Sequence, residues 1–128
     1  MPLFIRDIET RSTVDLGDVG MYNYATHPST EVLCVGYCVD NGPIKIWRPG
    51  MSNHLLRLYT TAAEHSNWSA VAHNAPFEHT IEKYILGPRF GFPLIPIERY
   101  ICSMAIANAL ALPASLDKLT GEIGRAHV

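Results

Sequence analysis

The stretch Leu3-Phe4-Ile5-Arg6-Asp7-Ile8-Glu9-Thr10 decides the fold: an apolar run carrying two acids one residue apart near its end. It reads as a first strand over Leu3 to Glu9. Alternate side chains of a strand share a face, so Asp7 and Glu9 point the same way, roughly 6.6 Å apart at strand rise. Carboxylates so spaced suit one or two hard cations, and oxygen ligands favour magnesium or manganese. Asp-x-Glu alone arises by chance about once in every two chains of this length. Its position gives it weight, because open α/β sheets set their sites at the ends of such strands. Arg6 falls on the face of Phe4 and Ile8, where unpaired charge is costly, so the strand is expected to be partly uncovered there.

The 128 residues suit one domain with a real core. With 48% hydrophobic and 17% charged residues the profile is globular, and the net charge of −2 gives no basic field of the kind that marks a tight nucleic-acid binder. Cys34 and Cys38 would lie about 13 Å apart on one strand, too far for a disulfide. No Cys/His spacing matches a zinc site, so Cys34, Cys38 and Cys102 read as free, mostly buried thiols in a reducing, cytoplasmic setting. The first strand starts almost at Met1 and carries charge, so no secretory leader is expected. No apolar run reaches transmembrane length, and no membrane partner is expected.

Arg11 to Thr30 is polar and broken by Gly17, Gly20 and Pro28, which predicts a long loop; Met21, Tyr22 and Tyr24 either pin it to the core, the favoured reading, or form a short turn that docks aromatics near the site. Val32 to Val39 and Ile44 to Trp47 flank Asn41-Gly42, the strongest short signal for an antiparallel hairpin. Leu55, Leu56, Leu58, Tyr59 and Ala62 recur at helical spacing, predicting a helix over Asn53 to Ser66 with solvated His54 and His65 at its ends. Ala70 to His73 is a short buried strand. Asn74 can then cap a helix with Pro76 in its first turn and Phe77, Ile81, Tyr84 and Ile85 on one face. Glu78 sits in that first turn, where the helix dipole alone accounts for an acid. Gly87 to Pro96 reads as a connector, Ile97 to Ile101 as a strand, Ser103 to Leu110 as a helix, and Ser115 as the cap of another. The pattern is α/β: an antiparallel hairpin beside the first strand, followed by strand-helix units.

Two acid motifs taken together carry a resemblance. Phe4-Ile5-Arg6-Asp7-Ile8-Glu9-Thr10 resembles the first motif of the DEDD 3′–5′ exonucleases, and His73-Asn74-Ala75-Pro76-Phe77-Glu78 resembles their second. Ile97 to Ala105 and Leu110 to Leu119 resemble the proofreading domain of phage-type family A DNA polymerases. The resemblance implies a ribonuclease-H-like mixed sheet. It implies Asp7, Glu9 and Glu78 as catalytic ligands of two divalent ions, Mg2+ or Mn2+, with Asp7 bridging them. It also implies Thr10, Asn74 and Phe77 as contacts to the terminal nucleotide. The partners implied are a single-stranded 3′ end of DNA and a polymerase domain in the same longer chain. Many relatives carry Asp where this chain has Glu78.

The family's third motif, a Tyr or His followed four residues later by Asp, has no counterpart here; Tyr100 and Asp117 have the wrong spacing. The expectation is therefore a domain over residues 1–122 that is incomplete and by itself inactive, with 123–128 a non-native tail that looks like adapter sequence read in one frame. The alternatives are an exoribonuclease of the ribonuclease D type, which shares the acids, and a non-catalytic ribonuclease-H-like scaffold in which Asp7, Glu9 and Glu78 are ordinary solvated acids.

Overall fold

A computed structural model describes residues 2–110. The helix expected from Ser115 and the tail over 123–128 lie outside the described residues. The elements run β1 (Leu3–Arg11), α1 (Leu16–Thr26), β2 (Glu31–Val39), β3 (Lys45–Trp47), α2 (His54–Glu64), β4 (Ser69–Ala72), α3 (Ala75–Ile81) continuing into a π-helical turn (Glu82–Leu86), α4 (Gly87–Phe90), a 3-10 turn (Ile97–Arg99), β5 (Tyr100–Cys102) and α5 (Ser103–Ala109).

The five strands form one mixed sheet in the order β3-β2-β1-β4-β5. β1 lies at its centre, antiparallel to β2 and parallel to β4. The hairpin forms, but not through the central Asn-Gly pair of the signal: the turn runs from Val39 to Gly42 with Asp40 at φ +52°. The Gly42 N–H donates to Val39 O at 2.9 Å, and a Cβ on Gly42 would stand 2.9 Å from that same oxygen. The order agrees with the hairpin and strand-helix units expected, and it is compatible with a ribonuclease-H-like sheet.

Alternation divides the sheet into two faces. Phe4, Arg6 and Ile8 of β1, Val35 and Tyr37 of β2, and Ala70 of β4 are buried. The apolar members of that face pack on Leu55, Tyr59 and Ala62 of α2 and on Ile81, Ile85 and Leu86 of the helix after β4. Ile5, Asp7, Gly36, Cys38 and Val71 line an open cleft of about 390 Å3 on the other face. The three cysteines are free and only half-buried, because Cys34 and Cys38 fall on this less covered side.

Several expectations are corrected. The segment Arg11 to Thr30 is not a plain loop: it contains α1, capped by Asp15 accepting from the Gly17 N–H. Gly20 breaks its helical path at φ +82°, a conformation that suits glycine, so the helical periodicity was concealed. Tertiary packing of Tyr24 and Ala25, both buried, holds the element where propensity does not. Gly87 to Pro96 begins with the short helix α4, and the strand expected from Ile97 starts only at Tyr100, after a 3-10 turn. His54 is not merely solvated, since its Nδ1 lies 2.8 Å from the Tyr37 hydroxyl. Arg99 holds the end of α2 by donating to Ala63 O and His65 O, each at 2.7 Å.

The largest correction concerns Arg6. The strand is not uncovered there; the residue is 2% exposed. Its guanidinium makes a two-pronged pair with Glu82, Nε to Oε2 and Nη2 to Oε1, both at 2.9 Å, and donates through Nη1 to Val71 O at 3.0 Å. Glu82 also accepts from the Tyr59 and Tyr100 hydroxyls. The Tyr100 ring lies 4.7 Å from the guanidinium carbon. Burial works against the Arg6 cation, and the Glu82 carboxylate outweighs it, holding the guanidinium above its ordinary range. By contrast the Arg11–Glu31 pair, with side chains 70% and 45% exposed, contributes less than about 1 kcal/mol.

Removing one partner of a buried pair strands the other charge. Glu82→Ala is therefore expected to destabilise the chain by about 3–5 kcal/mol in urea denaturation followed by circular dichroism. Replacing both partners, Arg6→Met with Glu82→Met, should cost less than the single change, because no charge is left unpaired. Equal losses in the two proteins would contradict the assignment.

Candidate functional site

The site is built where β1 and β4 run side by side and the chain leaves β4 for α3. Asp7 and Glu9 are exposed on β1, on the face opposite Phe4, Arg6 and Ile8. The register slips between Glu9 and Thr10, so β1 is irregular just past the acids. Bulges of this kind are frequent beside sites. Asp7 opens onto the cleft that His73 and Ser103 also line. His73 Nδ1 and Ser103 Oγ are 2.9 Å apart, and the Met104 N–H donates to His73 O, which ties the end of β4 to the start of α5.

Glu78 approaches from the helical side. It shares one helix face with Ile81, Glu82 and Ile85, all buried, so it is not the solvated first-turn acid that the dipole reading allows. It is 4% exposed. Burial pushes its carboxyl up to about 7; the Arg6 cation opposes this, and the charges of Asp7 and Glu82 add to it. Asp7 and Glu78 thus lie within electrostatic reach of one another although they project from different elements.

Asn74 makes no side-chain capping bond to α3, contrary to expectation. Among the described residues, the buried side-chain oxygens without a hydrogen-bond partner are Asn74 Oδ1 and Glu78 Oε2. Buried polar atoms are almost always paired, so both oxygens in one short motif ask for an explanation. Four residues on, Glu82 has both of its oxygens bonded. The free oxygen therefore belongs to the Glu78 position and is not general to acids on this helix.

Thr10 and Phe77 are joined through α1. Thr10 Oγ1 and the Tyr24 hydroxyl are 2.8 Å apart, and the Tyr24 ring lies 6.3 Å from that of Phe77. The structure thus sets Asp7 within electrostatic reach of Glu78 and links Thr10 to Phe77 through Tyr24. It does not draw three His, Cys, Asp or Glu side chains into a metal-holding cluster among the described residues. The donor set still fits a hard divalent ion: all carboxylate oxygen, with one buried oxygen unpartnered. Sequence reasoning missed Arg6 and Glu82 as the supports of the site. The signal was present, since a lone cation on the apolar face of a strand calls for an acid on the apolar face of a helix.

No family model matches the chain. The chain is 34% identical over 111 residues to a DNA polymerase of Bacillus phage SP02. That alignment covers 87% of the chain and 16% of the polymerase, so the chain spans about a sixth of that relative's length. Among the described residues, no helix is long and apolar enough to cross a membrane.

The raised Glu78 carboxyl gives a signed pH dependence. The folded state keeps this proton up to about pH 7, whereas the unfolded chain releases it near 4.5. Between those values the folded state binds more protons, so stability falls as pH rises. The whole effect is about 3 kcal/mol, lost by the time pH exceeds about 7. With divalent ions chelated, Glu78→Gln should flatten this slope and stabilise the chain at pH 8 relative to wild type, as read by urea midpoints across pH. An unchanged slope would show that the Glu78 carboxyl is not the group responsible.

Proposed function

We propose that this chain is part of the metal-dependent 3′–5′ exonuclease unit of a DNA polymerase, with a ribonuclease-H-like fold. The observation that carries the reading is the unpartnered, buried Glu78 oxygen, on a carboxyl within electrostatic reach of Asp7, in a chain similar to part of a phage DNA polymerase. Asp7, Glu9 and Glu78 would hold two divalent cations, magnesium or manganese. The chemistry such a pair supplies when bound is charge stabilisation at the phosphodiester and activation of water for in-line attack, releasing nucleoside 5′-monophosphates.

The chain's own residues divide the remaining tasks. Glu78 holds a proton up to about pH 7 and must release it to become a ligand, so cation affinity should rise with pH through that value. Asn74 Oδ1 is a free acceptor for a sugar hydroxyl. Phe77, half-buried against Tyr24, offers an apolar edge to the terminal sugar or base, beside the Thr10 backbone. The partners on this reading are a single-stranded 3′ end of DNA and a polymerase domain in the same longer chain.

Calorimetric titration with manganese tests the site. Wild type should bind, and Asp7→Asn and Glu78→Gln should each weaken binding by at least about tenfold. Unaltered affinity in both variants would contradict the reading and favour a scaffold in which these acids are solvated. The resemblance assigns a further acid and a water-orienting Tyr or His to a motif that these residues lack, so the chain alone should hydrolyse little. A longer protein carrying this segment should degrade a labelled DNA 3′ end in magnesium and lose that activity in Asp7→Ala. Preference for an RNA 3′ end in the same assay would move the reading to a ribonuclease D type.

A further inference from the structure

The seam between α1 and the helix that follows β4 carries aromatic rings that the acids do not use. Tyr24 meets Phe77 with ring centres 6.3 Å apart, and Tyr22 meets Tyr84 edge-to-face at 5.3 Å and 87°. The contacts make an inner rung, Tyr24 with Phe77 of α3, and an outer rung, Tyr22 with Tyr84 of the π-helical turn. The inner rung is fixed: Tyr24 is buried and its hydroxyl is engaged with Thr10, beside the acids. The outer rung is open. Tyr22 is 61% exposed, the most exposed aromatic ring among the described residues, and Lys83 Nζ lies 5.4 Å from the centre of the Tyr84 ring.

Packing alone does not require this arrangement. A large ring left in water, packed on a second ring that carries a cation, is a combination that takes a nucleic-acid base and its phosphate: every base has a face to stack, and the cation tracks the backbone. Distance along the helix sets the scale. Tyr84 follows Glu78 by six residues, the last three in the π-helical turn, so the rise is somewhat under the roughly 9 Å of a plain α-helix. At about 3.4 Å per stacked nucleotide this is a reach of two to three nucleotides from the acid site.

We infer that Tyr22, supported by Tyr84 and Lys83, is a stacking surface for single-stranded DNA two to three nucleotides inward of the terminal nucleotide. The inference rests on the exonuclease reading and deepens it, for it says how the strand leading to the acids is gripped. Sequence preference should be weak, since stacking does not read base edges.

The test is fluorescence anisotropy of the full 128-residue chain with end-labelled thymidine dinucleotide, tetranucleotide and octanucleotide, in magnesium at low salt. Affinity should climb between the dinucleotide and the tetranucleotide. Tyr22→Ala should weaken the two longer strands by about tenfold and leave the dinucleotide unchanged. Tyr22→Trp should restore them, which separates stacking from any general effect on folding. Lys83→Ala should weaken the longer strands and flatten their salt dependence. Asp7→Ala should weaken all three lengths. Loss with Asp7→Ala but none with Tyr22→Ala overturns this inference and leaves the acid site standing. Wild-type chain that fails to bind the octanucleotide overturns it as well.

Discussion

A buried cation joins the two stretches on which this molecule is built. Arg6 stands next to Asp7 on the central strand, and Glu82 lies one helical turn beyond Glu78, so the Arg6–Glu82 pair locks the element bearing one acid to the element bearing the other. The side chains are 0% and 1% exposed, and their two bonds at 2.9 Å use the fork geometry in full. Such a pair is weak as a source of net stability, because desolvation consumes most of the Coulombic gain. What it supplies is registry. This placement of the helix over the sheet satisfies Arg6, Glu82, Tyr59, Tyr100 and the Val71 carbonyl together, and a shifted helix would break several of these bonds at once.

The π-helical turn belongs to the same constraint. It begins at Glu82, with Glu82, Ile85 and Leu86 turned into the core. Turns of this kind inside helices collect at functional sites. Here one begins four residues after Glu78, with Glu82 as its first residue, so the two acids of opposite fate stand on either side of the α-to-π junction. Glu82 is fully bonded and spent on structure. Glu78 is buried, short of a partner and raised toward neutrality, a state of higher energy held in place by the pair beside it. That contrast, within four residues, is what singles out Glu78 as a candidate site residue.

Much of this was legible in the sequence because the signals were local. The apolar runs either side of Asn41-Gly42 pointed to the hairpin, although the turn itself places Asp40 at positive φ, and the spacing of Leu55, Tyr59 and Ala62 pointed to α2. Asp7 and Glu9 showed their shared exposed face by alternation alone. What stayed hidden was non-local. The element α1 has two glycines, one of them at positive φ, and it persists only through Tyr24 and Ala25 in the core. Arg6 looked anomalous because its partner is 76 residues away. Glu78 looked like a helix-dipole acid because its burial depends on how the helix is registered on the sheet. Whether the acids share cations was not legible in spacing, and it depends on charges that the fold brings near one another.

The most direct measurement is anomalous X-ray scattering from crystals of the chain grown at pH 8 and soaked in manganese. If the Arg6–Glu82 pair sets Asp7 and Glu78 into one site, an anomalous peak should stand in contact with both carboxylates, with Glu78 Oε2 among its ligands. Peaks bound elsewhere, or none while Asp7 and Glu78 stay ordered, would contradict it.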